Sequence, residues 1–142
     1  MTTAERPPPR RGGVPDKQGG FRVPTIVQSF NFAFEGIIYV LRTQRNMRIH
    51  FALAALVLIL GLAVGVSKLE LLALIVGISF VLIAEMLNTA LEAAIDIATT
   101  SFDPLAKIAK DVTAGMVLIA AIAAVLVGLL VLGPPLWARF AG

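Results

Sequence analysis

Leu71 to Asp96 reads LLALIVGISFVLIAEMLNTALEAAID, and the fold follows from how this stretch changes character along its length. From Leu71 to Ala84 only Ser79 is polar. Beyond that point come Glu85, Asn88, Glu92 and Asp96. On an α-helix turning about 100° per residue, these four fall within roughly a quarter of the circumference. They form one polar face near the end of a helix otherwise suited to hydrocarbon. A soluble core rarely holds so long an apolar run, and a simple anchor has no use for the carboxylates. An ionisable group in a spanning segment costs on the order of 2.5–3.5 kcal/mol at the bilayer centre, so it is read as functional. The stretch predicts a membrane helix that carries chemistry where it meets water.

Composition agrees. The chain has 142 residues, 58% of them hydrophobic, with mean hydropathy +0.88. That is too apolar for an ordinary soluble domain. There is no cysteine, which excludes disulfides and thiolate metal sites. The single histidine, His50, excludes multi-histidine zinc chemistry within one chain. The net charge of +3 finds its explanation in topology rather than in nucleic acid.

Working outward, residues 1–24 hold Pro7 to Pro9, Arg10, Arg11 and four glycines. They read as a disordered basic tail attracted to anionic lipid. No apolar core follows the early charges, so this is not a signal peptide. Over residues 25–43, Val27, Phe30, Phe34, Ile37, Ile38 and Leu41 recur at helical spacing. This predicts an amphipathic helix on the membrane surface. Three spans follow, at about 47–66, 69–91 and 112–132. The second continues as helix to about Ala98. The third is closed by Pro134 and Pro135, with Trp137 as an interfacial anchor. Arg48 and His50 read as interfacial anchors of the first span. Gly61, Gly65 and the alanines of the third span would let helices approach closely. The fold class is thus an all-α membrane protein with one surface helix and three transmembrane helices.

Eight Lys and Arg residues precede the first span, and Lys107 and Lys110 lie between the second and third. Only Lys68 and Arg139 fall on the other side. The positive-inside rule then places the N-terminus and the 96–111 loop in the cytoplasm. The polar face faces the compartment that holds ATP.

The second helix contains Glu85-x-x-Asn88-Thr89-x-x-Glu92, and Lys110-Asp111 opens the third span. Carboxylates one or two turns apart, with an amide between them, offer the hard oxygens that Mg²⁺ prefers. A lysine at a helix start, with exposed N–H groups, suits phosphate. Base, metal ligand and phosphate cation together describe phosphoryl transfer, which depends on positioning and charge neutralisation. Neither a P-loop nor a protein-kinase signature is present.

The run Glu85-Met-Leu-Asn88-Thr89-Ala-Leu-Glu92, then Asp96 and Phe102-Asp-Pro-Leu-Ala-Lys-Ile-Ala-Lys110-Asp111, resembles the prokaryotic diacylglycerol kinase and undecaprenol kinase family. Arg45-Asn-Met-Arg-Ile-His50 is similar to its Gram-positive branch. The resemblance covers about Ser29 to Leu132. It implies a homotrimer in the bacterial inner membrane that uses ATP and Mg²⁺ to phosphorylate a membrane lipid alcohol. It implies Glu85 as the base that meets the substrate hydroxyl, Asn88 as the residue orienting the site, and Glu92 as a metal ligand. Lys110 would meet phosphates and Asp111 the nucleotide, with Ser101, Phe102 and Asp103 lining it. Two positions depart from the family pattern. Gln44 stands where the family often has a metal-binding glutamate, and brings an amide oxygen without charge. Phe32 stands at the place of a nucleotide-contacting tyrosine, and keeps the ring without the hydroxyl.

The reading is a lipid kinase acting on undecaprenol or diacylglycerol, with undecaprenol favoured by the branch resemblance. The alternative is a catalytically degenerate relative acting as a membrane interaction protein, which Gln44 alone favours. A channel lined by the polar face is disfavoured, because Leu71 to Ala84 offers only Ser79 as a lining group.

Overall fold

The computed structural model describes residues 14–15, 21–22, 24–99 and 101–141. Its main elements are four helices: α1 Ile26–Thr43, α2 Arg45–Val64, α3 Lys68–Ala98 and α4 Pro104–Ala141. Most of the expected tail lies outside the described residues. Within it, β1 (Val14–Pro15) pairs antiparallel with β2 (Phe21–Arg22), joining Val14 to Arg22 and Pro15 to Phe21. The chain divides into two compact units, residues 1–39 and 40–142, so the division falls within α1.

In the first unit, α1 keeps Val27, Phe30 and Phe34 exposed, the apolar row that the periodicity picks out. In the second unit, α2, α3 and α4 are each long and apolar enough to cross a membrane, with mean hydropathies of 2.2, 2.3 and 3.0. Helices satisfy every interior backbone group within themselves, which hydrocarbon demands. The hydroxyls inside α3 are dealt with in the same way. Ser79 donates to the Ile75 carbonyl at 2.8 Å and Thr89 to the Glu85 carbonyl at 3.0 Å. A Ser79 hydroxyl folded onto its own helix is unsuited to lining a channel.

Helix α3 starts on a capping box. The Ser67 hydroxyl accepts from the Glu70 N–H, and the Glu70 carboxylate accepts from the Ser67 N–H at 2.7 Å. Each satisfies a donor that a helix start leaves open. Helix α2 ends on Gly65, whose φ of 76° a side chain would strain. Its N–H closes onto the Gly61 and Leu62 carbonyls. Gly65 therefore makes the turn between α2 and α3 and has open space around it, in contrast to the close-approach role the sequence suggests. Gly61 does fill that role. A Cβ there would sit 3.2 Å from Leu74 and 3.8 Å from Leu132. Leu74, Val131 and Leu132 form the buried cluster at this end, with Val57, Leu60 and Leu136 against them. Arg139 adds a polar tie, donating to the Ala63 carbonyl at 3.1 Å. A cation suits the negative end of the α2 dipole.

Helix α4 departs from expectation at both ends. It begins at Pro104, not near Val112, and it runs through Pro134 and Pro135 to Ala141. The early start follows from Asp103, which caps the helix, with Pro104 in the first turn where its missing N–H costs nothing. The two late prolines cannot donate to the Leu130 and Val131 carbonyls, yet their fixed φ is helical, so the chain continues.

The pairing of α3 with α4 is the most extensive in the bundle. It passes through Gly77, where a Cβ would lie 3.6 Å from the Ala124 Cα and 3.7 Å from its Cβ. Those are ordinary contact distances, so Gly77→Ala is expected to leave the melting temperature in detergent unchanged or raise it. Gly77→Leu drives a branched chain into Ala124 and is expected to cost about 1–3 kcal/mol of stability, read in the same thermal melts.

Candidate active site

Helix α3 rises about 1.5 Å per residue, so from Lys68 it crosses a ~30 Å hydrocarbon layer after some twenty residues. That point falls near Leu87 and Asn88. Glu85 lies about one turn inside it, and Glu92 and Asp96 lie beyond. Glu85 is 3% exposed, with Ala84 and Thr89 buried on either side. A carboxylate so placed is held within the protein rather than offered to lipid.

One turn on, Asn88 donates through Nδ2 to the Glu92 Oε1 at 3.1 Å. This bond fixes the Asn88 amide and turns Glu92 along the helix. It leaves the Asn88 Oδ1 buried with no hydrogen-bond partner among the described residues. A buried acceptor left open costs about 1–3 kcal/mol, so it marks a place where a donor or a cation belongs. Glu85, Asn88 and Glu92 are thus a buried carboxylate, an open amide oxygen and a carboxylate with one oxygen engaged, all on one face.

Among the described residues, no three of His, Asp and Glu converge into a metal cage. The donor set instead fits the way Mg²⁺ is held by one or two carboxylates together with substrate phosphates and water. Gln44 occupies the N-cap position of α2, and its side chain makes no capping hydrogen bond there.

The second part of the site is the α3–α4 corner. Asp96, Ser101, Phe102, Asp103, Lys107 and Lys110 line a pocket of about 420 Å³. Ser101, Phe102, Asp103 and Lys110 are therefore brought to one pocket. Asp96 is more than a solvated helix end, because its carboxylate pairs with the Lys110 ammonium across the two helices. Asp103 spends its carboxylate on α4, accepting from the Leu105 N–H at 2.7 Å and the Ala106 N–H at 3.3 Å. Because α4 starts at Pro104, Lys110 lies well inside the helix and not at its start. Backbone N–H groups there are used within the helix, so an anion would meet the Lys110 side chain alone. Asp111 is absent from the pocket wall and pairs with Lys107 at 2.5 Å. Lys107 was not singled out by sequence, although its spacing three residues before Lys110 puts both on one face. Phe32 lies in the other compact unit, on α1, and is 47% exposed.

The sequence pattern of prokaryotic diacylglycerol kinase matches residues 31–132. A protein of Synechocystis sp. called diacylglycerol kinase is 43% identical over 114 residues, which are 80% of this chain and 65% of that protein. The chain thus aligns with slightly under two thirds of that relative's length. An undecaprenol kinase of Bacillus subtilis is 40% identical over 109 residues, covering 77% of this chain and 89% of that protein. The extent of these matches, with three spanning helices and the polar face of α3, makes the chain a member of the prokaryotic diacylglycerol kinase family.

The Asp96–Lys110 pair is solvent-accessible on both partners. Exposed pairs contribute about 0–1 kcal/mol. Asp96→Asn is therefore expected to lower stability by less than about 1 kcal/mol, and to make what stability remains less sensitive to added salt, in thermal melts across a salt series.

Proposed function

We propose that the protein is an ATP- and Mg²⁺-dependent lipid kinase, phosphorylating the hydroxyl of diacylglycerol or undecaprenol at the cytoplasmic face of the membrane. The observation that carries this reading is the α3 face itself, a Glu85 carboxylate 3% exposed within a spanning helix, one turn from an Asn88 with an open amide oxygen. Membership of the family and the names of both relatives point to the same reaction class.

In this reading the lipid hydroxyl approaches Glu85 from the hydrocarbon side. Its oxygen attacks the γ-phosphorus, and the bond to the ADP oxygen breaks. The hydroxyl proton passes to the Glu85 carboxylate and later to water. Asn88 orients the reacting groups through its free Oδ1 while its Nδ2 holds Glu92. Mg²⁺, when bound, supplies charge neutralisation on the phosphates, and Glu92 with Gln44 are the residues to hold it. The nucleotide sits at the α3–α4 corner, over Ser101, Phe102 and Asp103, with Asp111 nearby. Lys110 exchanges Asp96 for a phosphate oxygen. That exchange is cheap because the exposed pair is weak and a polyphosphate carries more charge. The cation asymmetry along the chain supports a cytoplasmic N-terminus. The family resemblance supports a homotrimer.

The test is transfer of radiolabelled phosphate from ATP, with Mg²⁺, to diacylglycerol and undecaprenol side by side in mixed micelles. Label is expected in one lipid in preference to the other, and none when Mg²⁺ is chelated. Folded protein that labels neither lipid would overturn the reading. Glu85→Gln is expected to lower turnover by about 10²–10⁴-fold, with melting temperature and oligomer size in detergent unchanged. Turnover close to that of the unmodified protein would remove Glu85 as the base.

A further inference from the structure

His50 takes no part in the machinery described so far. On α2, Met47, His50, Ala54, Val57 and Gly61 follow one another three or four residues apart and so share a face. Met47 is 1% exposed and Gly61 is buried against Leu74, which turns that face toward the other helices. A groove of about 420 Å³ runs along it, between α2, α3 and α4. Its walls include Leu53, Val57, Val81, Leu82, Val125 and Leu129, and His50 is the one lining residue with a polar side chain. On α4 the lining extends from Ala121 to Leu136, which at about 1.5 Å per residue is a length of some 22 Å. A narrow apolar trench of that length, within spanning helices, is matched to a hydrocarbon chain.

The position of His50 along the trench gives it meaning. It lies about 7.5 Å of helix rise past Arg45, at the end where Val81 and Leu82 form the opposite wall. Glu85 follows Val81 by one turn of α3 on the same side, as the burial of both shows. The imidazole is within electrostatic reach of the Glu85 carboxylate, as is the Glu92 carboxylate. No ionisable residue of α4 lines the trench. An imidazole there, at the mouth of an otherwise apolar surface, offers one N–H donor and one ring nitrogen acceptor. A structural role as an interfacial anchor needs only that it reach water. A ring on the inward face, within electrostatic reach of the buried carboxylate, is placed to do more.

We propose that His50 is a substrate-positioning residue, whose imidazole hydrogen-bonds the lipid hydroxyl and holds it beside Glu85 while the hydrocarbon chain lies in the trench between α2, α3 and α4. The inference rests on the lipid-kinase reading and adds to it the element that fixes the acceptor. It also assigns the first span a part in chemistry that the α3 motif does not contain. Holding an acceptor hydroxyl in a reactive geometry is worth a large share of a transfer rate, because little covalent work is left to the protein.

The experiment uses the full chain in mixed micelles and varies lipid alcohol and ATP independently, with His50→Ala and His50→Gln as variants. His50→Ala is expected to raise the lipid KM or lower kcat by about tenfold or more, with the KM for ATP unchanged, and His50→Gln, which keeps a donor, is expected to recover part of the loss. Unchanged lipid kinetics in His50→Ala would overturn the inference. So would a parallel loss toward both substrates without recovery in His50→Gln, since that pattern belongs to a structural role. Unmodified protein that transfers nothing to any lipid alcohol would remove the lipid-kinase reading and this inference with it, whereas an active parent with an indifferent His50 leaves the reading standing alone.

Discussion

Burying the Glu85 carboxylate inside a helix that must also cross hydrocarbon is the demand around which the bundle is arranged. A charged or polar group in that position is costly, and each neighbouring polar atom adds to the cost unless it is paired. The helix meets the second part of the demand by local means. Thr89 and Ser79 fold their hydroxyls back onto carbonyls of their own helix, so neither is left open. Asn88 donates through Nδ2 to Glu92 and leaves Oδ1 without a partner among the described residues. The first part of the demand is met by packing. Gly77 lets α3 lie close to Ala124 on α4, two turns of α3 before Glu85, and Glu85 itself is 3% exposed. A wider residue at that contact would push the two helices apart.

Length is the second determinant. Helix α3 has 31 residues and α4 has 38, both more than a ~30 Å layer requires. Part of that surplus, from both helices, is spent on one side. There the end of α3 and the start of α4 stand together outside hydrocarbon, joined by Asp96 and Lys110, with the 420 Å³ pocket between them. The corner is polar, exposed and held by ion pairs that water weakens. A nucleotide needs such a place, because the groups that meet it must exchange partners quickly. The buried carboxylate sits more than two turns away along the same helix, so the two chemical environments that the proposed lipid-kinase reading needs are carried by one helix.

Much of this was legible in the sequence, and the reasons differ from part to part. The three spans and the polar face of α3 could be read because hydropathy and the 3.6-residue period are local properties. The capping box at Ser67 and Glu70 was equally legible, as was Asp103-Pro104 as a helix start, yet the mixed charges from Lys107 to Asp111 disguise α4 as a loop. Pro134 and Pro135 look like a stop, but proline blocks only two hydrogen bonds and its φ is already helical. Gly65 and Gly61 are the same residue type four positions apart on the same helix, and only the turn geometry separates the one that bends the chain from the one that admits a neighbour. The partners of Lys110 and Lys107 were not legible at all. Each had several acidic candidates within reach, and the choice depends on where α4 begins and on its rotation against α3.

The opposite end of the bundle shows why the site can be so polar. There Leu74, Val131 and Leu132 are buried together, Gly61 admits Leu74 and Leu132 closely, and Arg139 ties α4 to the Ala63 carbonyl near the end of α2. Apolar packing and a cation on a helix C-terminus are contributions that do not need to change when substrate binds. The site end has few of these. Its buried groups include Met47, Val81, Ala84, Glu85, Thr89 and Thr113, half of these polar by type, and its ion pair between helices, Asp96 with Lys110, is exposed. Stability in proteins is distributed unevenly, and elements that open for ligands come from its low end. A rigid apolar clamp at one membrane face therefore frees the other face to hold an open amide oxygen, a buried carboxylate and an exchangeable lysine. The residues proposed to act are concentrated at the end with the least apolar packing, away from the clamp.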